Sequence, residues 1–460
     1  MKAKIIYCLL IVVFIIYMKQ QFLNGFTMDQ QLTMGLLLVA VYLWVAVPIP
    51  SGASSILLLA CMLLFGLVDS VEEAFSGFLS PALYFILMLS LISYSLVFVG
   101  IDKMIARFLV KVSKKGPITL VMTLPIFILL LPILLPSAIA RFKMLSPLIT
   151  KLNHYYGFQS RSLFEKFCMY VIGMLNQKAT MIIFTGGGFP ILASQLLRDY
   201  HVADVGWLDW LLHIGPPLWA GCLLIVIFVW QYLKKTNPED DWFKEDKLVN
   251  FPEEENKEQY TPVFWLVIST FLLMILTWII ADQDKVPLLL PPMILIVLYS
   301  FPGVKIITNK VIRNYDWENF LLLGSSFSLG MLMARNGTAD ALAKELISLV
   351  SPDQSFVIKI VTIALFVFLI RLLFVVPSSA MIVIFPIVVS YAEIMHIQAE
   401  KLTFMIIMII GGVMILPIHS PTTFFAYETG VFTKKEQYII GTFSSFVIMF
   451  MSILAAIYYW

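Results

Sequence analysis

Proline and hydroxyl residues interrupt apolar sequence at four places: LPSAIAR (135–141), FTGGGFP (184–190), VVPSSAM (375–381) and LPIHSPTT (416–423). Ser137, Ala138, Thr185, Gly186, Gly187, Pro377, Ser378, Ser379, Ser420, Pro421, Thr422 and Thr423 stand at these breaks. Hydroxyl oxygens and carbonyls freed from a helix ladder are hard ligands of the kind Na⁺ takes. Exposed N–H groups at half-helix starts attract anions. The plainer account is that each Ser or Thr bonds back to its own helix; it is the better one for any single residue. Four clusters at repeated positions favour a binding site.

Basic residues accompany the breaks. Arg141 follows the first and Arg371 precedes the third. A guanidinium in mid-membrane costs roughly 2.5–3.5 kcal/mol, so it faces a cavity, a counter-charge or backbone carbonyls. Its planar fork matches a carboxylate. Equally, it could snorkel to an interface or staple hairpin carbonyls. Lys178 lies seven residues before Thr185, beside Asn176 and Gln177; it either compensates charge in a polar cavity or reaches headgroups. His419 is a candidate for proton coupling, although a lone histidine more often packs between helices.

These residues need elements that hold them in lipid. With 60% hydrophobic and 13% charged residues among 460 and a mean hydropathy of +0.91, the chain reads as an all-α integral membrane protein. Eleven spans are expected near 5–18, 33–49, 53–69, 82–100, 167–192, 212–232, 263–281, 287–302, 318–335, 403–425 and 437–459. The first lacks a small-residue cleavage site and reads as a retained helix, not a leader. The stretches 117–152 and 354–396 are broken in the middle and read as re-entrant hairpins. The four cysteines all fall in apolar spans, without metal-binding spacing. Lys103, Arg107, Lys111, Lys114 and Lys115 lie on the side expected to be cytoplasmic, whereas the loop VDSVEEAF on the other side has no basic residue. The N-terminus is therefore expected in the cytoplasm of a multi-pass cell-membrane protein. No P-loop, metal cluster, Ser-His-Asp pattern or nucleic-acid signature is present, which argues against an enzyme and an ATP-driven pump.

The chain divides as an N-terminal helix (1–32), a first repeat (33–233), a cytoplasmic polar linker (234–261) and a second repeat (262–460). ALYFILMLSLISYSLVFVG runs into the amphipathic IDKMIARFLVKV, and NFLLLGSSFSLGMLMARNG into TADALAKELISL. Five crossings lie between the starts of the two copies, and an odd number inverts the second. Inverted repeats with broken helices are the pattern of secondary transporters.

LPIHSPTTFFAYETG (416–430) is similar to the Leu-Pro-x-x-Thr-Pro-x-Asn motif of the divalent anion/sodium symporter family, and TGGGFPILASQLL (185–197) resembles that family's Thr-Gly-rich break. The resemblance covers nearly the whole chain as pattern. It implies eleven crossings, a homodimer, and tips that form sodium sites and hold substrate carboxylates. The family's tips carry Ser-Asn-Thr; here neither tip has the asparagine, and Thr423 stands in place of the motif's last Asn. On the same resemblance, Lys178 would put a positive charge where relatives hold sodium. The expected function is secondary active transport of small anions, such as di- or tricarboxylates, by an elevator-type exchange, with Na⁺ as the candidate coupling ion and no other cofactor. The alternatives are a proton-coupled or uncoupled anion transporter or channel on the same scaffold, or a membrane enzyme acting on lipid-linked substrates.

Overall fold

The computed structural model describes residues 25–46, 49–237, 260–281, 285–348, 354–374 and 376–460. The expected first helix at 5–18 and most of the polar linker lie outside these residues. The described residues form helices and no strands.

Among these residues, five helices are long and apolar enough to cross a membrane: Pro81–Phe98, Trp207–Thr236, Pro262–Ile280, Pro377–Ile394 and Lys434–Tyr458. They meet different surroundings. Only 33% of the Pro262–Ile280 window is buried against 83% of the Pro377–Ile394 window. Trp265, Leu272, Leu273 and Leu276 on the first are exposed, an apolar surface that water would not tolerate and lipid does. The second is apolar all round because protein encloses it.

The chain forms two compact units, Met1–Leu83 with Asp316–Ile406, and Tyr84–Tyr315 with Ile407–Trp460. In the first unit, Trp317–Arg335 is the central helix and packs on Ser51–Leu64, Ser76–Leu79 and Pro377–Ile394. Small residues allow this close approach. A Cβ on Gly77 would lie 2.2 Å from the Ser328 nitrogen, and one on Gly324 would strike the Phe78 ring at 2.4 Å. The central helix ends at Gly337, whose φ of +71° suits glycine, and the amphipathic helix Thr338–Ser348 comes next. Asp340 Oδ1 accepts from Ser390 Oγ at 2.5 Å, tying that helix to Pro377–Ile394.

The second unit repeats the sequence of elements. Pro81–Phe98 ends at Gly100, with φ +98°, and Ile101–Ser113 comes after it. Its buried residues Ile101, Ile105, Leu109 and Ser113 recur every four positions, as one face of a helix requires. A hairpin then forms from Pro117–Leu130, a short turn, and Ala138–Tyr155. Leu163–Tyr170 continues through a π-helical turn, Val171–Leu175, into Asn176–Ile182. After a non-helical segment the chain resumes as Gly188–Asp199. The helix Ala399–Gly412 stops before a non-helical stretch, and Ser420 then caps Pro421–Glu428. The long helices Trp207–Thr236 and Lys434–Tyr458 pack on each other.

Candidate functional site

The second unit brings together a hairpin turn and two helix breaks. At the turn, Ser137 is an N-cap: its Oγ accepts from the Ala140 nitrogen at 3.2 Å. One turn later Arg141 points back along the hairpin. It is fully buried. Its Nε donates to Asn176 Oδ1 at 2.6 Å, one terminal nitrogen to the Leu135 carbonyl, and the other to the Asn176 carbonyl at 3.4 Å. Asn176 Nδ2 in turn donates to the Ala138 carbonyl at 2.9 Å. The arginine thus closes carbonyls that the turn leaves without a helical partner.

Asn176 is held there by the π-helical turn, which shifts the register of the helix behind it. The same turn frees the Gly173 carbonyl, which accepts from Thr422 Oγ1 at 2.9 Å. Gly173 itself is needed for the approach, since a Cβ there would lie 2.6 Å from the Ala426 Cβ. Thr422 also lies 3.4 Å from Gln177 Oε1. So the hairpin, the π turn and the helix Pro421–Glu428 interlock. Lys143 adds a cation–π contact with the Phe425 ring at 5.5 Å.

The break sequence FTGGGFP is tight. Gly186 packs where a Cβ would meet the Thr180 and Ile183 carbonyls at 2.6 and 2.9 Å, and Gly187 is extended. Thr185 Oγ1 accepts from the Trp207 indole at 3.3 Å, and Thr180 bonds back to Gln177. The second break starts earlier than LPIHSPTT suggests, at Val413. There the Met414 nitrogen, lost from the helix ladder, donates to Ser445 Oγ at 3.0 Å. Ser420 Oγ caps Thr423 at 3.2 Å and lies 3.1 Å from Thr422 Oγ1 and 3.2 Å from Thr423 Oγ1. Pro421 opens the helix as its first residue. Buried His419 accepts from the Leu416 nitrogen at 3.4 Å. Buried Lys178 has its ammonium 3.9 Å from the Met414 sulfur.

Pro377, Ser378, Ser379 and Arg371 belong to the first unit. Pro377 is the first residue of its helix. Ser379 is buried with its Oγ 3.3 Å from Ser326 Oγ, and Ser378 is half-exposed. Arg371, fully buried at the end of Phe356–Arg371, donates to the Phe374 carbonyl of its own turn. It treats its hairpin as Arg141 treats the other.

Against known families, residues 2–460 match the one described as the sodium:sulfate symporter transmembrane region. The chain belongs to this family. It is a multi-pass membrane protein and a secondary transporter of anions, not an enzyme. No curated protein matches the chain.

For this symporter-family protein, sequence reasoning found the hydroxyls and cations at the breaks but missed Gly173, Ser326, Met414 and Ser445. A glycine inside an apolar span was the one available signal, for Gly173. Replacing Thr422 by the isosteric Val removes the bond to Gly173 and leaves that carbonyl buried and unpaired, at about 1–3 kcal/mol. The expected outcome is a melting temperature in detergent several degrees lower, read by a thermal-shift assay.

Proposed function

We propose that the protein carries small dianions, sulfate or di- and tricarboxylates, across the cell membrane by elevator-type alternating access. One observation supports this most strongly. In the second unit a hairpin turn and two helix breaks gather two buried cations, Arg141 and Lys178, and neither has a carboxylate partner among the described residues. Positive charge enclosed by polar breaks favours an anion and disfavours a cation relay. Within the proposal the chain has eleven crossings, two re-entrant hairpins and two inverted repeats divided by a cytoplasmic linker at 234–261. Its N-terminus is cytoplasmic, and two copies pair as a homodimer. Ser137, Ala138, Thr185, Gly186, Gly187, Ser420, Pro421, Thr422 and Thr423 contact substrate in the second unit, and Pro377, Ser378 and Ser379 do so in the first. Lys178, Arg371 and His419 balance charge. The family description brings sodium as coupling ion, and hydroxyl and carbonyl oxygens at the breaks are suited to it.

The test is uptake by the purified protein in proteoliposomes. Saturable influx of labelled sulfate or succinate, each inhibited by the other, is expected. A panel of sulfate, phosphate and mono-, di- and tricarboxylates giving no saturable flux would refute the proposal.

A further inference from the structure

Lys178 carries a charge that the packing around it does not explain. Its side chain is fully enclosed, and its closest polar contact is a thioether, Met414 Sδ, at 3.9 Å. Sulfur of this kind is a weak acceptor. The other ionisable group that feels it is the Cys222 thiol, an uncharged group at neutral pH by its ordinary value. A neutral methionine or leucine would fill the same volume without a buried charge. The location is the distinctive feature. Thr423 Oγ1 reaches the same Met414 sulfur at 3.8 Å, and Thr423 and Thr422 both meet the Ser420 hydroxyl. The ammonium therefore lies against the segment where the chain leaves helical geometry, close to the hydroxyls at its far end.

A helix break with clustered hydroxyls is a ligand set for a small hard cation. Here the position is flanked by sulfur, a poor ligand for sodium, and a tethered ammonium stands next to it. Two positive charges within a few ångströms in a protein interior repel strongly. The break at 184–190 offers no substitute, because its Thr185 hydroxyl accepts from Trp207 and its glycine turn is packed against its own carbonyls.

We propose that Lys178 is a built-in cation, supplying at the 413–420 break the positive charge that a bound sodium ion would otherwise bring. The second unit then holds a dianion without sodium. This rests on the anion-transport reading and sharpens it: the resident charge fixes the substrate sign and removes the need for a coupled cation there.

The experiment uses the full-length protein in detergent, unfolded thermally in sodium or N-methylglucamine at equal ionic strength, with and without sulfate. The wild type is expected to melt at the same temperature in both cations, and sulfate to raise that temperature in both. Lys178→Met keeps the basal melting temperature, since it removes an unpaired buried charge, and loses the sulfate shift; Lys178→Arg retains part of it. A sodium-specific shift in the wild type, or an undiminished sulfate shift in Lys178→Met, overturns the inference. Sulfate uptake into proteoliposomes separates it from the transport reading. Wild-type rates within about twofold in the two cations support the built-in charge, and uptake that requires sodium overturns it while leaving anion transport intact. No uptake in either cation counts against transport, and the melting results still decide whether Lys178 replaces sodium.

Discussion

Arg141→Ala is expected to abolish uptake and to lower stability by about 3–5 kcal/mol, at about 1–3 kcal/mol for each buried acceptor left unpaired. Two acceptors are orphaned directly: the Leu135 carbonyl at the turn and Asn176 Oδ1. The indirect loss is larger in consequence. Asn176 links the turn to the π-helical segment through Ala138, and without the guanidinium this link has only one of its two hydrogen-bonding sides. Arg141→Lys keeps the charge but not the fork, and one ammonium cannot reproduce the guanidinium's planar pattern of donors. It should recover part of the stability and a minor part of the rate. Thermal unfolding and initial uptake rates measured on the same preparations separate a turn-closing role from direct anion binding. A normal melting temperature with a raised KM in Arg141→Ala would reassign this residue to the anion.

The second large effect is expected from a buried ion pair far from the breaks. Lys166 Nζ donates to Glu436 Oε1 at 2.7 Å and to Asn237 Oδ1 at 3.0 Å, with side-chain exposures of 9% and 8% for the two charged partners. Glu436 also accepts from the Thr433 nitrogen at 2.8 Å and its hydroxyl at 2.9 Å, and so caps the helix Lys434–Tyr458. The pair joins Leu163–Tyr170, which leads into the π turn, to the last long helix. Breaking a buried pair from one side costs about 3–5 kcal/mol because it strands the other charge. Lys166→Met should therefore be severely destabilising. Lys166→Met with Glu436→Gln should be much less so, because no charge is stranded and the amide can still accept from Thr433. A double-mutant cycle on melting temperatures checks this; additive single effects would show that the pair contributes no coupling.

Local chemistry made part of this legible in advance. Pro-Ser pairs announced the hairpin turns because proline removes a donor and serine caps the helix beyond it; Ser137, Pro377 and Pro421 occupy those positions. Glycines at 100 and 337 marked the ends of two apolar helices because both adopt positive φ. The rest depended on distant partners. VIGML reads as ordinary helix, and only its packing against Ala426 and Thr422 gives Gly173 a π-helical turn. The second break begins before its proline because Ser445, on another helix, accepts the Met414 nitrogen. Arg141 and Arg371 were equally compatible with an anion and with carbonyls; their donors reach carbonyls of their own hairpins. The partnership of Lys166 with Glu436 spans 270 residues and leaves no local trace.

Alternating access itself is tested most directly by counterflow. Proteoliposomes are loaded with unlabelled sulfate and diluted into a trace of labelled sulfate, with no ion gradient and no membrane potential. A carrier that exposes its anion site to one face at a time accumulates label transiently above its equilibrium level, and that overshoot is the expected result. Label that rises monotonically to equilibrium, at a rate independent of the internal sulfate, would identify an open pore and contradict secondary transport.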